Sequence, residues 1–241
     1  MNRIFHFILN LIEFFYKKKL INQIKRNLPQ RIETFFDIGA HKGETTIDFS
    51  KNFYIENAFL FEPNKKNFSI LEKNLKNFSK IKNIYLYNFA LGAENSKAII
   101  NEVLESSSST INDVNIETNY FKRKQKILKF FNKNASILKS EIEIKNAQEF
   151  ITKKKIIIID IMKIDTEGYE FLILDNLKNC LKNVKLILFE HHYDLMIKKS
   201  YKFRDINNLL CKNNFIQIHK SKMNFRKSFE YIYLNKRYKI D

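Results

Sequence analysis

Apolar residues recur along this chain in two rhythms. "TFFDI" (34–38), "NAFLFE" (57–62), "NIYLYNFALG" (83–92), "IDIMKID" (159–165) and "VKLILFE" (184–190) are near-continuous apolar runs of strand length. Such runs are expected of strands buried on both faces. Between them, "ETTIDFSKNF", "NKKNFSILEKNLKNF", "EGYEFLILDNL" and "FRDINNLLCKNN" space their apolar residues as helices do, with Thr45 and Thr46 near the cap of the first. Strand alternating with helix predicts an α/β fold, a doubly wound and mostly parallel sheet of Rossmann-like type. The ending breaks the rhythm. "FIQIH" and "FEYIYLN" both read as strands, and the nine residues "KSKMNFRKS" between them are too few for a crossover helix, so they predict a C-terminal antiparallel hairpin.

Two segments lie outside this frame. Residues from roughly 93 to 150, with 95–140 as their variable part, are less regular: "ESSSST" reads as a polar loop, "YFKRKQKILKFFNKN" as a basic, partly amphipathic helix, and "SEIEIKNAQEFI" as a strand followed by a short helix. They predict a variable cover above the sheet. Residues 1–30 form an N-terminal helix and basic linker, leaving 31–241 as the main domain. In "MNRIFHFILNLIEFFYKKKL" the uncharged core from Ile4 to Ile12 is far shorter than the ~20 residues of a spanning helix. His6, Asn10, Glu13 and Lys17 make one polar stripe on an otherwise apolar helix. It packs either on the domain or a second subunit, or at a membrane interface where Lys17, Lys18 and Lys19 meet anionic headgroups.

The formal charge of +17 suggests a polyanionic partner. Richness in Lys, Asn, Ile and Phe makes compositional drift an equal explanation, and no nucleic-acid partner is expected. Cys180 and Cys211 stand 31 positions apart without a CxxC pattern, which argues against a disulfide framework and fits a reducing, cytoplasmic location, membrane-peripheral where the N-terminal helix lies at an interface.

Two of the four glycines fall in "DIGAHKGETT" (37–46), the turn after the first strand, where open α/β sheets bind ligands. A Walker loop is excluded because Gly43 is followed by Glu44. A dinucleotide fingerprint needs GxGxxG, and this chain has GxxxG with Asp37 before it, so a carboxylate would oppose pyrophosphate. A ligand with an adenosine half, a cationic half and no phosphates fits better. S-adenosylmethionine is such a ligand: Glu62 at the end of the second strand suits its ribose, the "ALG" turn its adenine, and the glycines would let the backbone approach its methionine portion.

"FFDIGAHKGETT", "FLFEPN", "NFALG" and above all "IMKIDTEGYEFLIL" followed by "LILFEHH" resemble the FkbM family of S-adenosylmethionine-dependent methyltransferases, over about 34–235 and most weakly across 95–140. The resemblance implies the seven-stranded class I methyltransferase fold, O-methylation as the usual chemistry, and a hydroxyl-bearing acceptor such as a sugar or glycolipid. The residues expected at the cofactor are Asp37, Gly39, Ala40, His41, Gly43, Thr45, Glu62, Pro63, Asn64, Asn88, Ala90 and Leu91.

Methyl transfer to a hydroxyl requires positioning and removal of a proton. "KIDTEGYE" offers Asp165 and Glu167 as proton acceptors, or as helix-capping acids, with Glu170 reading as a solvated or salt-bridged helix residue. "FEHHYD" offers His191 and His192, which point to opposite sides of an extended segment, so one of them faces the cleft. Asp165, Glu190 and one histidine are also a candidate divalent-metal set, without a compact metal-spacing motif. Two other readings compete: a nicotinamide-dependent oxidoreductase on the same sheet, and a non-catalytic basic module for membrane or nucleic acid.

Overall fold

The computed structural model describes residues 16–103, 109–112, 115, 117–118, 137–193, 197–222 and 227–239. The most apolar part of the N-terminal helix (1–15), the basic segment 120–134 and most of the "ESSSST" loop lie outside the described residues, as do Asp194 and Arg226.

The chain opens with helix α1 (residues 16–25) and continues through β1 (Arg31–Ile38), α2 (Glu44–Ser50), β2 (Tyr54–Phe61), α3 (Lys65–Leu75) and β3 (Ile81–Tyr87). Three strands of a second sheet follow, β4 (Ala90–Gly92), β5 (Ser96–Val103) and β6 (Ser109–Thr110), then its fourth, β7 (Ile137–Asn146). The chain then returns to the main sheet through α4 (Ala147–Lys153), β8 (Ile159–Ile164), α5 (Glu170–Asn176), β9 (Val184–His192), α6 (Phe203–Lys212), β10 (Phe215–Lys222) and β11 (Ser228–Asn235).

The main sheet has seven strands in the order β3-β2-β1-β8-β9-β11-β10. All its pairings are parallel except those of β11, which runs antiparallel to both β9 and β10. The hairpin expected at the C-terminus is present, and its reversed strand lies inside the sheet rather than at its edge. Sequence order reverses between β1 and β8, which opens a crevice at the carboxyl ends of those strands.

Period-two alternation divides the apolar residues of the sheet into two cores. Phe36, Phe61, Ile164, Phe189 and Tyr231 face α4, α5 and α6. Phe35, Leu60, Ile161, Leu188 and Ile232 face the other side with Phe49 of α2 and Leu71 of α3. Helix α1 belongs to this second core: Leu20, Ile21, Ile24 and Leu28 are all buried in it. Spacings of one and three residues place Leu20, Ile21 and Ile24 on one helical face, with Leu28 just beyond the helix, while Lys17, Lys18, Lys19, Asn22 and Arg26 stay exposed. Asp160, buried near the opposite end of β8, holds the neighbouring strands: its Oδ2 accepts from the Glu33 and Thr34 amides at 2.7 and 2.9 Å, and its Oδ1 meets Lys185 at 2.6 Å.

The stretch expected as one strand over 83–92 is two. Asn88 donates its amide to the carbonyls of Glu62 and Pro63 at 2.9 and 3.2 Å, β3 ends at Tyr87, and "ALG" pairs with β7 in the second sheet. That sheet, ordered β4-β7-β5-β6, is the cover. Ile100, Ile142 and Ile144 form its small core with Ala90.

Candidate active site

The second core turns polar where β1, β8, β9 and β11 reach the crevice. In register across the sheet stand Asp37, Lys163, Leu188 and Ile232. Glu190 and Glu230, two residues further along the same face, lie opposite each other, and Asp165 follows β8 beside them. Above these rows is a cavity of about 560 Å³ between the sheet, α1, α2 and the cover.

Lys163 holds the floor together. Its Nζ lies 3.1 Å from Asp37 Oδ1, 3.1 Å from the Gly39 carbonyl oxygen and 3.5 Å from Asp165 Oδ2, and the side chain is 8 % exposed. Burial opposes its charge, but the Coulombic pull of Asp37 and Asp165 outweighs it and raises the pKa above the ordinary lysine value. Asp37 is fully buried, with Thr46 donating to its Oδ2 at 2.7 Å. It was expected at the cofactor; instead it lies beneath the cavity, and Lys163 is the residue that lines it.

The glycines also serve packing. Gly39 has φ +81°, and a Cβ there would stand 1.9 Å from the Asp165 carbonyl oxygen. Gly43, at φ +88°, would drive a Cβ to 2.9 Å from Leu71 Cδ1 of α3, and it does not line the cavity. The backbone needs both residues for close approach to protein, β8 in one case and α3 in the other. Gly39, Ala40, His41 and Thr45 do border the cavity. The amides of Gly39 and Ala40 donate to the Phe61 carbonyl at 2.9 and 3.0 Å, which sets the turn over the end of β2.

Glu62 emerges at that point, buried yet lining the cavity. Its Oε2 accepts from the His41 amide at 2.8 Å and its Oε1 from the Asn64 amide at 2.9 Å. Burial pushes its pKa up to about 7, against those two hydrogen bonds. Each oxygen keeps acceptor capacity toward the cavity, which suits the two hydroxyls of a ribose. Pro63, Ala90 and Leu91 supply an apolar wall nearby, suited to an adenine. Asn64 and Asn88 act from behind: Asn64 caps α3 through the Asn67 amide, and Asn88 braces the chain after β2. The adenosine half of S-adenosylmethionine therefore fits the residues present, with Glu62 as its polar anchor.

The opposite end is acidic. Asp165, Glu167, Glu190 and Glu230 all line it. Glu167 and Gly168 both have positive φ, 50° and 100°, and the cover holds this turn: Thr110 donates to the Glu167 carbonyl at 2.7 Å and Asn112 to the Gly168 carbonyl at 2.8 Å. Left-handed backbone at a non-glycine residue is strained and persists where the surroundings impose it. It directs the Glu167 carboxylate to His192, whose Nε2 lies 2.9 Å from Glu167 Oε2 and 3.3 Å from Glu190 Oε1. Burial, then Asp165, pushes Glu190 up to about 7. Glu170 corrects the expectation of a solvated helix residue: it is buried, accepting from the Gly168 amide at 2.8 Å, from Thr166, and from the Tyr201 hydroxyl.

The two histidines point apart, as adjacent strand residues must. His192 sits behind the two carboxylates without lining the cavity. His191 lies among Tyr193, Tyr201 and Phe203 on the α6 side, where burial pulls its pKa down to about 3 and keeps it neutral. Asp165 and Glu190 are close together, but among the described residues no group of three or more His, Cys, Asp or Glu is placed to hold a metal ion.

A seven-stranded sheet ending in an antiparallel hairpin, with an acid at the end of β2 and a cavity at the switch point, defines a class I methyltransferase. The chain belongs to the FkbM methyltransferase family: the profile of the Methyltransferase FkbM domain matches residues 37–217. It is accordingly an S-adenosylmethionine-dependent enzyme. Three solved structures share the fold. The methyltransferase FkbM from Methylobacillus flagellatus KT is 13% identical with a TM-score of 0.53, over 84% of this chain and 43% of that one. This chain thus spans less than half of that relative. M. capricolum TrmK, in complex with S-adenosyl-homocysteine, is 14% identical with a TM-score of 0.50, covering 90% and 67% of the two chains. The magnesium protoporphyrin IX methyltransferase ChlM from Synechocystis PCC 6803, with bound S-adenosylmethionine, is 7% identical with a TM-score of 0.51, covering 91% and 77%. Comparison with curated protein sequences finds no match.

Sequence reasoning missed Lys163, Glu230 and Tyr16. Lys163 left a signal, a lone cation inside the apolar run "IDIMKI" opposite a strand carrying Asp37. Lys163→Met should lower the unfolding free energy in urea by about 3 kcal/mol, since the buried Asp37 carboxylate and the partly exposed Asp165 lose their counter-ion. Adding Asp37→Asn should restore part of that loss; stability unchanged in the single variant would contradict this account of the floor.

Proposed function

We propose that this enzyme methylates a hydroxyl group, carried by a sugar or lipid-linked glycan, with Glu190 as proton acceptor. The observation that carries the reading is the row of carboxylates, Asp165, Glu190 and Glu230, at the end of the cavity opposite Glu62. S-adenosylmethionine, when bound, supplies the methyl group as a sulfonium electrophile. The chain has to anchor the adenosine, orient the acceptor oxygen and take its proton. Glu62 is the anchor. Glu190 combines access to the cavity with a pKa near neutrality, the condition for an efficient general base. His192 lies against Glu190 and Glu167, where it holds both carboxylates in place and stabilises their ionised forms. Asp165, fixed by Lys163, adds a second acceptor for the hydroxyl.

The geometry here does not favour a phosphate-rich acceptor. A carboxylate row repels phosphates, and Lys163 is already engaged with Asp37 and Asp165. A lipid-linked acceptor is supported by the exposed face of α1, where Lys18, Lys19 and Arg26 stand together away from the core. No described helix is long and apolar enough to cross a membrane.

Calorimetry should show S-adenosyl-homocysteine binding to the wild type and a loss of roughly 100-fold in Glu62→Ala, about the worth of two hydrogen bonds to a charged group. Affinity equal to wild type would remove Glu62 from the cofactor site. Labelled-methyl transfer to an identified acceptor should fall by roughly 10²–10⁴ in Glu190→Gln with cofactor affinity retained. The base works ionised, so wild-type kcat/KM should decline as pH drops below about 7. A flat profile between pH 5 and 8 would assign the proton elsewhere. Co-sedimentation with anionic vesicles should be salt-sensitive and weakened by reversing Lys18, Lys19 and Arg26 to Glu, whereas equal binding by the variant would refute the membrane contact.

A further inference from the structure

Glu230 and Tyr16 stand 214 positions apart in the chain and meet in the cavity. Glu230 lies on β11 directly opposite Glu190 on β9. Their side chains therefore leave the same face of the sheet, roughly 5 Å apart at Cβ. The Tyr16 hydroxyl donates to Glu230 Oε2 at 2.5 Å. Tyr16, Leu20 and Ile21 of α1 form the adjoining wall of the same cavity.

Two carboxyl groups directly opposed across strands repel when both are ionised. Burial is the largest cause raising each of them to about 7, so near neutral pH the pair offers a proton donor as well as acceptors. Two neighbouring hydroxyls on one saturated ring match this arrangement, because they too are adjacent and each both donates and accepts. The C–H face of such a ring would pack on Tyr16, Leu20 and Ile21. Glu62, which follows β2, is held by the His41 and Asn64 amides and by none of these groups, so the cofactor end does not account for them.

We propose that Glu230, held by Tyr16 and opposed to Glu190, is a specificity-determining residue that selects an acceptor carrying a vicinal diol on a carbohydrate-type ring. Helix α1 is then part of the acceptor site, in addition to the cover. The proposal rests on the hydroxyl-methylation reading, and its test separates the two.

The probes are methyl α-D-glucopyranoside and methyl α-D-galactopyranoside, with cyclohexanol as the single-hydroxyl control. Each is added to the full chain saturated with S-adenosyl-homocysteine and followed by saturation-transfer NMR. A glycoside should give signal where cyclohexanol gives none. Glu230→Gln should weaken glycoside binding about tenfold, as loss of a charged hydrogen bond to a hydroxyl does, with S-adenosyl-homocysteine affinity within twofold of wild type. Where Glu230→Gln loses S-adenosyl-homocysteine binding through misfolding, Tyr16→Phe, which removes a single hydroxyl, decides in its place with the same expected result. Unchanged glycoside binding in the deciding variant overturns the proposal. So does a wild type that binds S-adenosyl-homocysteine and neither glycoside, an outcome that leaves the methyltransferase assignment standing. A wild type that fails to bind S-adenosyl-homocysteine strikes the functional reading itself.

Discussion

The ammonium group of Lys163 is the point on which the crevice is built. It reaches the carboxylate of Asp37 from β1, the carbonyl of Gly39 from the turn that follows, and the carboxylate after β8. These are the two strands between which the sheet opens. A lysine at this depth without partners would be neutralised or expelled, and the two acids without the lysine would repel each other. Held together, they fix the separation of β1 and β8 at their carboxyl ends, and with it the height of the Gly39–His41 turn over the cavity. Gly39 completes this contact, since any Cβ would collide with the Asp165 carbonyl.

From that floor the cavity divides by charge. One end offers Glu62, whose oxygens are each tied to one backbone amide, beside apolar residues of the β2 and β4 ends. The other end concentrates carboxylates backed by His192. A ligand carrying sulfonium and ammonium charge is attracted by such a field, and a pyrophosphate is repelled. In the proposed reaction the same field that attracts the methyl donor also holds the proton acceptor, so cofactor choice and chemistry would follow from one distribution of charge. The +17 of the whole chain is not what shapes it, because the described lysines lie mostly on solvated faces while the cavity is acidic.

Local pattern carried a large share of this. Buried parallel strands write themselves as unbroken apolar runs, which is why the strand and helix alternation and the closing hairpin were legible. Glu62 was legible because its position depends only on where β2 ends. Asp37 and the two glycines were recognised as special, while their protein partners, Lys163, the Asp165 carbonyl and Leu71, were not, since a turn motif shows that a backbone is constrained and does not show by what. The segment 83–92 misled because a single apolar run served two sheets, and the side chain that divides them, Asn88, acts on carbonyls 25 and 26 positions away.

The sequence by itself determined the fold class, the family and the cofactor, because each rests on residues close together in the chain whose spacing encodes a strand, a turn and a helix. Tertiary structure alone decided which of Glu167, Glu190, His191 and His192 share the cavity, that Lys163 lines it above Asp37, and that Tyr16 meets Glu230. Those facts depend on sheet register and on the burial of α1 against the domain. Such contacts join residues far apart in the chain, and their energy comes from a shared low-dielectric space that no stretch of sequence defines on its own.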